Sequence, residues 1–504
     1  MPSYDLVPYV SNPHRQSHPE RLHVMGRLHG VPAAMASQCR VLELGCAGGG
    51  NLIPMAAALP ESRFLGIDPS SVQIAEAQAA AAELGLGNVE FRAMSAEQIS
   101  GETGTFDYII CHGVFSWVPP PVQEAILRVC RANLAPHGIA YISYNTYPGW
   151  HLRRWARETM LFHSRRFDGP AQRLQAARGF LTLVTRAAQV WHGIHAELAA
   201  SLLKQIQNST DSYVLHEYLE DDNEPFYFEQ FVSRAAAHGL QYLVDAGSSG
   251  AVAERQWPPA QELFRAIGDD LIQVEQYCDF LRNRMFRRSL LCHADLRLDR
   301  SGAPARVADM RIASELRASG DGGPMRVPIQ FLHPAGGGVE VNLPLTAAAL
   351  ATLYAARPDF IPFHELLAEA ARQGRCSPNA SALWDDLYQF WLLDFVELWA
   401  EPPRFALKAG ERPVACPVAR RLARVGHSPT NRRHEIIALA PAQLRLLSLL
   451  DGTRSREQLA DEIRAQRLSP DGRALPSPSA TTNDAHAWVE ECLKFFARAS
   501  LLIG

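Results

Sequence analysis

One short segment, residues 41–51, limits the folds open to this chain more than any other feature of its sequence. It reads Val-Leu-Glu-Leu-Gly-Cys-Ala-Gly-Gly-Gly-Asn, an apolar strand that carries one acid and runs into a glycine cluster at the start of a helix. Glycines let the backbone pass close beneath a ligand, because a Cβ at those positions would collide with it. The segment therefore predicts a strand–turn–helix unit with a ligand at the turn.

Apolar runs alternate with helical stretches on both sides of this turn. The predicted strands span residues 40–44, 63–68, 89–93, 106–112 and 138–144, and the predicted helices span residues 51–58, 71–84 and 121–133. Strands that alternate with helices form a parallel sheet covered on both faces. Such a sheet binds its ligand at the carboxyl ends of the strands.

The chain from residue 147 to about 207 reads as helix, and the residues after it indicate an insertion rather than a new domain. A predicted strand at 212–218, a helix at 225–238 and a strand at 240–244 would complete the sheet. We therefore predict an α/β fold, a Rossmann-like seven-strand domain over residues 1–250 with a helical insertion at about 150–210.

The rest of the chain is predicted to be a helical middle region and two winged-helix-like modules. Residues 212–300 overlap the end of the sheet and include a helix at 261–288, residues 301–410 hold a Gly/Pro-rich linker and the first module, and residues 411–504 form the second. The two modules share a degenerate repeat, in which three leucines have the same spacing in each module. These are Leu345, Leu350 and Leu353, and Leu439, Leu444 and Leu447.

Composition excludes several classes of protein. A formal net charge of −4 creates no field that draws the whole chain to nucleic acid. No uncharged apolar run reaches the roughly 18 residues of a membrane span. Nine cysteines, none spaced as Cys-x-x-Cys, argue against a zinc site, and we predict no metal and a cytoplasmic location.

Two cofactor classes fit the glycine cluster. Gly45-x-Ala47-x-x-Gly50 satisfies a relaxed dinucleotide fingerprint, whereas Glu43, two residues before the first glycine, is typical of S-adenosylmethionine binding. The strand at 106–110 and the predicted closing unit favour the second class. Asp68 ends the second strand, where a carboxylate accepts both ribose hydroxyls. The expected cofactor contacts are Glu43, Gly45, Cys46, Ala47, Gly48, Gly50, Asp68, Ser95, Ala96 and His112.

Four stretches carry a more specific resemblance. They are residues 4–9 with 16–22, residues 112–119, residues 143–151 and residues 216–228. Together they resemble the bacterial methyltransferases that carry a methyltransferase regulatory domain, whose characterised members are protein-lysine methyltransferases. The resemblance implies a protein substrate, a regulatory region at 212–300, and an N-terminal segment that places Tyr9 and His18 over the cofactor.

The acceptor site is expected beyond the ends of the fourth and fifth strands. His112 would contact the cofactor or help to deprotonate an acceptor, or it is a loop histidine bonded to the backbone. Trp117, Tyr144 and Tyr147 would wall the acceptor slot, or they belong to the core. His216 and Glu217 are expected to serve packing, and Arg282–Arg288 to form a basic helical face.

Three functions remain open from the sequence. The first is methylation of protein lysine, and the second is O- or N-methylation of a small molecule. The third is a cofactor-sensing DNA-binding protein, which the arginines of the second module suggest and the acids of the same module oppose. These arginines are Arg420, Arg421, Arg424, Arg432 and Arg433. We expect the modules to serve homodimerisation or substrate docking rather than DNA binding.

Overall fold

The alternating pattern of residues 40–145 produces the central sheet of the structure. A computed structural model describes residues 11–247, 258–268, 270–300, 306, 308–319, 327–402, 404–465 and 482–504. Seven strands form one sheet in the order β3-β2-β1-β4-β5-β7-β6, with β7 antiparallel to both neighbours and the first five strands parallel. The strands are β1 Arg40–Leu44, β2 Arg63–Asp68, β3 Val89–Ala93, β4 Phe106–Cys111, β5 Leu134–Asn145, β6 Leu240–Asp245 and β7 Phe286–His293.

Helices cover both faces of this sheet. Because β1, β4 and β5 are buried on both faces, they read as continuous apolar runs rather than as alternating ones. The helix after β4 has a buried face formed by Ala125, Ile126, Val129 and Cys130 and a polar face toward solvent. The covering helices are α1 Pro19–Leu28, α2 Leu52–Ala58, α3 Ser71–Glu83 and α4 Pro120–Asn133.

The predicted insertion is present and has four helices. They are α5 Trp150–Ser164, α6 Pro170–Trp191, α7 Ile194–Gln207 and α8 Asp211–Tyr218. The predicted strand at 212–218 is therefore wrong. Thr210 caps α8 by accepting a hydrogen bond from the backbone N–H of Tyr213, and Val214 and Tyr218 lie buried one turn apart. Their spacing serves one helix face rather than one strand face.

The sheet closes later in the chain than predicted. Helix α9 Phe228–Ala237 leads into β6. Two further helices, α10 Pro258–Ile267 and α11 Leu271–Arg282, then precede the last strand, β7. The predicted helix at 261–288 is thus two helices and the start of a strand, and the predicted boundary near residue 250 falls inside the sheet. The remaining domain divisions, at 300 and 410, stay predictions.

The expected basic helical face at 282–288 is also wrong. Helix α11 ends at Arg282, Asn283 adopts a left-handed conformation with φ 49°, and the chain then enters β7. Arg287 is fully buried there, and its guanidinium donates to Asp279 (2.7 Å) and Glu275 (3.0 Å). The charge of Arg287 therefore lies inside the domain, where acids of α11 neutralise it.

Two smaller units follow the sheet. In the first, β8 Arg311–Ser314 pairs with β12 Ile361–Pro362 and β13 Val396–Trp399 beside α12 Pro344–Ala356, α13 Phe363–Gly374 and α14 Ala380–Leu392. A three-stranded sheet of β9 Arg317–Ala318, β10 Ile329–Leu332 and β11 Gly338–Val341 packs against α12. The second unit has α15 Pro417–Arg424, α16 Pro441–Leu449, α17 Arg456–Ala465 and α18 Thr482–Arg498. Within the described ranges, no helix is long and apolar enough to span a bilayer.

Replacement of the buried arginine tests the closing of the sheet. Arg287→Met removes the fully buried cation that pairs with Asp279 and Glu275, while Arg284 stays 3.3 Å from Asp279. We expect a loss of about 3 kcal/mol in the free energy of unfolding. Thermal and urea unfolding of the full chain measure it. Arg372→Met is the matched control, because Arg372 is 71% exposed and pairs with Glu369 on the surface, where no measurable change is expected. Equal midpoints for both variants and the unsubstituted chain would contradict this role of Arg287.

Candidate functional site

A cavity of about 590 Å³ opens at the carboxyl ends of β1, β2, β4 and β5. Its size is typical of sites for small molecules and cofactors. Three of the lining residues are exposed. Pro69 follows β2, Gly113 lies just after β4, and Met285 directly precedes β7. The cavity therefore reaches the surface of the domain.

The β1–α2 turn lies at the centre of the cavity wall. Its backbone is left-handed at three positions, Gly45 (φ 77°), Ala47 (φ 47°) and Gly49 (φ 76°). Asp68 stabilises this turn, because its Oδ2 accepts the backbone N–H of Ala47 (3.0 Å) while its Oδ1 accepts that of Ser70 (2.9 Å). Asp68, which we predict to bind the ribose of the cofactor, thus also stabilises the turn through hydrogen bonds from its backbone.

Glu43 presents a carboxylate oxygen that no described residue satisfies. The side-chain amide of Asn51 donates to Glu43 Oε1 (2.7 Å), whereas Oε2 is buried and, among the described residues, has no hydrogen-bond partner. Burial raises the pKa of Glu43 to about 8, although the hydrogen bond from Asn51 opposes this. A buried, half-satisfied carboxylate that lines a cavity suits a cationic donor such as an ammonium or a sulfonium.

The N-terminal segment, residues 11–18, packs over the turn. Ser11 Oγ accepts the backbone N–H of Gly50 (2.7 Å), and a Cβ at Gly50 would overlap the carbonyl oxygen of Ser11. The backbone N–H of His14 donates to Asn51 Oδ1 (2.9 Å). The absence of a side chain at Gly50 therefore permits the segment to lie directly on the loop.

Two stacked histidines form one wall of the cavity. The rings of His14 and His112 lie 3.5 Å apart, and Nδ1 of His112 is 2.8 Å from the hydroxyl of Tyr141. Burial, with Arg288 nearby, lowers the pKa of His14 to about 4. Burial and the neighbouring His14 hold the pKa of His112 well below its usual value. Both rings are therefore neutral near pH 7, and His112 is a poor acceptor for a proton.

Beyond the histidines the cavity continues into an aromatic slot, defined by Trp117, Trp150, Arg153, Tyr213 and Glu217. The two indoles meet edge to face at 5.9 Å. Arg153 donates to the hydroxyl of Tyr213 (3.2 Å) and lies 3.6 Å from Glu217 Oε2. Burial raises the pKa of Glu217, and Arg153 opposes the shift.

The structure brings most of the residues predicted for the site to one cavity. Those that line it are Glu43, Gly45, Cys46, Ala47, Asp68, Ser95, Ala96, His112 and Trp117. Gly48 and Gly50 belong to the same turn without lining the cavity, and they lie against Ser11 instead. Tyr9 lies outside the described residues.

Three predicted residues lie away from the cavity. Tyr144 is buried inside the domain, where its ring stacks on Phe231 at 4.0 Å and its hydroxyl pairs with Ser289 (3.0 Å). The hydroxyl of Tyr147 accepts a hydrogen bond from Arg154 (2.8 Å). His18 caps α1, since its Nδ1 accepts the backbone N–H of Glu20 (3.2 Å). Their polar atoms are therefore bound within the fold.

Sequence reasoning missed several residues of the cavity wall. His14 and Asn51 line it, and so do His216 and Glu217, which were assigned to packing at the end of a strand. His216 and Glu217 lie on α8, which is a helix rather than a strand of the sheet, and this helix places both residues at the cavity. Asn51 has a signal in the sequence, its position directly after the glycines at the start of a helix, whereas His14 has none.

Four of the five arginines that suggested DNA binding contact acceptors of the same chain; the fifth, Arg420, is partly buried. Arg421 and Arg424 pair with Glu83, Arg432 donates to the carbonyls of Ala57 and Ala58, and Arg433 pairs with Glu397. These contacts occupy the guanidinium groups of those four residues within the fold, which argues against the DNA-binding alternative.

A solved structure matches the whole chain. PKMT2 from Rickettsia typhi, determined in complex with AdoHcy, superposes with a TM-score of 0.87 at 28% sequence identity, and the match covers 99% of this chain and 100% of PKMT2. The likeness extends to the smaller C-terminal units as well as to the sheet. It confirms the predicted α/β architecture with its helical and winged-helix-like additions.

Two proteins of Rickettsia prowazekii are similar to this chain in sequence. The Rickettsia prowazekii protein RP028 is 38% identical over 241 residues, which are 48% of this chain and 96% of RP028. RP789 of the same organism is 43% identical over 298 residues, or 59% of this chain, and the aligned part spans only 54% of RP789.

Three family models match successive parts of the chain. They are "Methyltransferase domain" at residues 41–138, "Predicted methyltransferase regulatory domain" at 210–293 and "PKMT, C-terminal winged helix domain" at 411–501. The glycine turn, the unsatisfied carboxylate of Glu43 and the strand-end Asp68 fit the cofactor of such enzymes. The chain belongs to the S-adenosylmethionine-dependent methyltransferases that carry a methyltransferase regulatory domain.

Proposed function

We propose that this methyltransferase transfers methyl groups to lysine side chains of proteins. The observation that carries the proposal is the aromatic slot, which continues the cofactor cavity and contains one carboxylate, Glu217. When bound, S-adenosylmethionine supplies an electrophilic methyl group, and a neutral amine nitrogen is the nucleophile that lysine offers. The slot must therefore admit a narrow chain and remove a proton from its end.

The shape and surface of the slot suit an aliphatic amine. Trp150 is 1% exposed, and its ring and that of Trp117 give the slot apolar walls along which methylene groups can pack. Met285 and Gly113, which line the same cavity, are exposed to solvent. We propose that a lysine side chain enters past these two residues while the rest of its protein stays outside.

The charges around the slot favour the neutral form of the amine. The guanidinium of Arg153 lies over Trp150, and that of Arg157 lies over Trp117, each 5.9 Å from the ring centroid. Two nearby cations and burial both lower the pKa of a lysine ammonium. The carboxylate of Glu217 accepts the proton, since its own pKa is raised by burial.

The comparisons support a protein substrate. The solved relative is named PKMT2, the C-terminal family model is a PKMT winged helix domain, and the resemblance of four sequence stretches implies protein-lysine methylation. Two predictions from the sequence stay predictions: a homodimer through the C-terminal modules and a cytoplasmic location.

For the cofactor, we propose that Glu43 Oε2 accepts a hydrogen bond from the amino group of S-adenosylmethionine and that Asp68 accepts hydrogen bonds from the ribose hydroxyls. Ser95 and Ala96 would meet the adenine ring, because they line the cavity after β3. His112 would contact the cofactor as a neutral ring and take no part in proton transfer. Glu217 takes that role instead.

Labelling tests the proposed acceptor. Purified chain, S-adenosylmethionine labelled in its methyl group, and bacterial proteins should give labelled bands whose acid hydrolysate contains Nε-methyl-lysine. The chain has three lysines, Lys204, Lys408 and Lys494, so a variant with arginine at all three separates self-methylation from methylation of other proteins. Label found only in small molecules, or only in base-labile esters, would refute lysine as the acceptor.

The pH dependence of cofactor binding tests Glu43. A bound ammonium requires the ionised carboxylate, so binding should be strongest above the pKa of about 8 and weaken as pH falls. We expect the affinity for S-adenosylhomocysteine to fall about tenfold per pH unit between pH 7.5 and 6. Calorimetry should show that Glu43→Gln loses this slope and that Glu97→Gln, which changes an exposed acid nearby, keeps it. An unchanged slope in Glu43→Gln would exclude the assignment.

The proton-accepting role of Glu217 has its own test. Glu217→Gln should lower the initial rate of protein methylation about 10²–10³-fold near pH 7 and leave the affinity for S-adenosylhomocysteine unchanged. The deficit should shrink toward pH 10, where lysine loses its proton unaided. Glu158→Gln, which alters an exposed pair with Arg154, is the control. A deficit that stays constant with pH would show that Glu217 is not the base.

A further inference from the structure

A hairpin of the C-terminal winged-helix unit reaches the cofactor site from the far end of the sequence. In this hairpin, residues 429–437, Thr430 pairs with Ile436 and the N–H of Ile437 donates to the carbonyl of Pro429 (2.9 Å). At its tip His434 has a left-handed backbone with φ 62° and is 4% exposed. A strained and buried tip indicates that surrounding contacts determine its conformation.

The first contact of the hairpin tip is with the amide that holds Glu43. His434 Nε2 lies 2.7 Å from Asn51 Oδ1 and donates to it, and the same oxygen accepts the backbone N–H of His14. The two donors at its oxygen orient the amide of Asn51, whose Nδ2 donates to Glu43 Oε1 (2.7 Å) and to Ser17 Oγ (3.1 Å). His434, which lies 383 residues along the chain from Asn51, is thus one of the groups that orient the amide bonded to Glu43.

The second contact is at the other end of the same helix. Arg432 donates to the carbonyls of Ala57 (3.0 Å) and Ala58 (3.3 Å), the last residues of α2. Carbonyls at a helix end lack partners within the helix, and a cation there is favoured by the helix dipole. The hairpin therefore holds both ends of the helix that begins at the cofactor turn.

Ion pairs fix the hairpin against the N-terminal segment. Arg15 pairs with Glu397 (2.6 Å) of β13 and with Glu435 (3.2 Å) of the hairpin. Arg433 pairs with the same Glu397. Two arginines and two glutamates from three parts of the chain thus form one partly buried network.

We propose that the hairpin 429–437 is part of the cofactor-binding apparatus and that His434 is a positioning residue, which acts through Asn51 on Glu43. Docking of the C-terminal unit then sets the affinity for the cofactor without contact between that unit and the reacting atoms. The proposal concerns cofactor binding and holds whatever the acceptor is.

Substitution at the tip tests the proposal. His434→Phe keeps a ring but loses the donor, whereas His434→Gln can restore a donor. We expect about tenfold weaker binding of S-adenosylhomocysteine for His434→Phe, with recovery of most of that loss in His434→Gln. The KM for S-adenosylmethionine should rise to the same extent, while the rate at saturating cofactor changes less than about twofold.

The control removes a different contact between the C-terminal unit and the sheet domain. Arg421→Ala with Arg424→Ala removes the exposed contact of the same unit with Glu83 and should leave the affinity unchanged. Normal affinity in His434→Phe, or an equal loss in the Arg421/Arg424 variant or in His434→Gln, would overturn the proposal.

Hydrogen exchange tests the same coupling without any substitution. Coupling between sites is reciprocal, so S-adenosylhomocysteine must slow amide exchange in residues 431–437 of the unaltered chain. Residues 456–464, in α17 of the same unit, serve as the reference and should change less. Equal protection of both segments, or none in the hairpin, would contradict a specific role for the tip.

Discussion

The backbone conformation of the β1–α2 turn is the constraint on which the site depends. The turn is left-handed at Gly45, Ala47 and Gly49. Its backbone N–H groups donate to the carbonyl of Ile67, to the carboxylate of Asp68 and to the hydroxyl of Ser11. Asp68 lies close to the turn because β1 and β2 are parallel and end at the same edge of the sheet. Ser11 belongs to the N-terminal segment, which packs over the turn. The turn in this way determines where the ligand, the N-terminal segment and α2 lie.

The parts of the fold that sequence reasoning found are those with strong local periodicity. Among the five strands of residues 40–145, β1, β4 and β5 are continuous apolar runs because both their faces are buried. The edge strand β3 is largely exposed, and its position followed from the alternation of strands and helices. The strand β7 was missed because Arg287 and Arg288 follow a helix and extend its charged pattern. A buried arginine is tolerated there only because Asp279 and Glu275 neutralise it, and that pairing exists only in the folded chain.

The same distinction applies to the site. Contacts made by the turn itself, such as that of Asp68, follow from motif and strand position. Tyr144 and Trp117 could not be separated in advance, because the choice between core and cavity depends on packing against Phe231 and Trp150. His434 carried no local signal, since its role comes from the docking of a unit nearly the whole chain away from Asn51.

Occupancy of the turn by S-adenosyl compounds is the central claim, and calorimetry on the full chain tests it most directly. S-Adenosylhomocysteine should bind with measurable heat at one site per chain, and NAD should give none under the same conditions. Heat with NAD and none with S-adenosylhomocysteine would contradict the assignment of the glycine turn, of Glu43 and of Asp68 together.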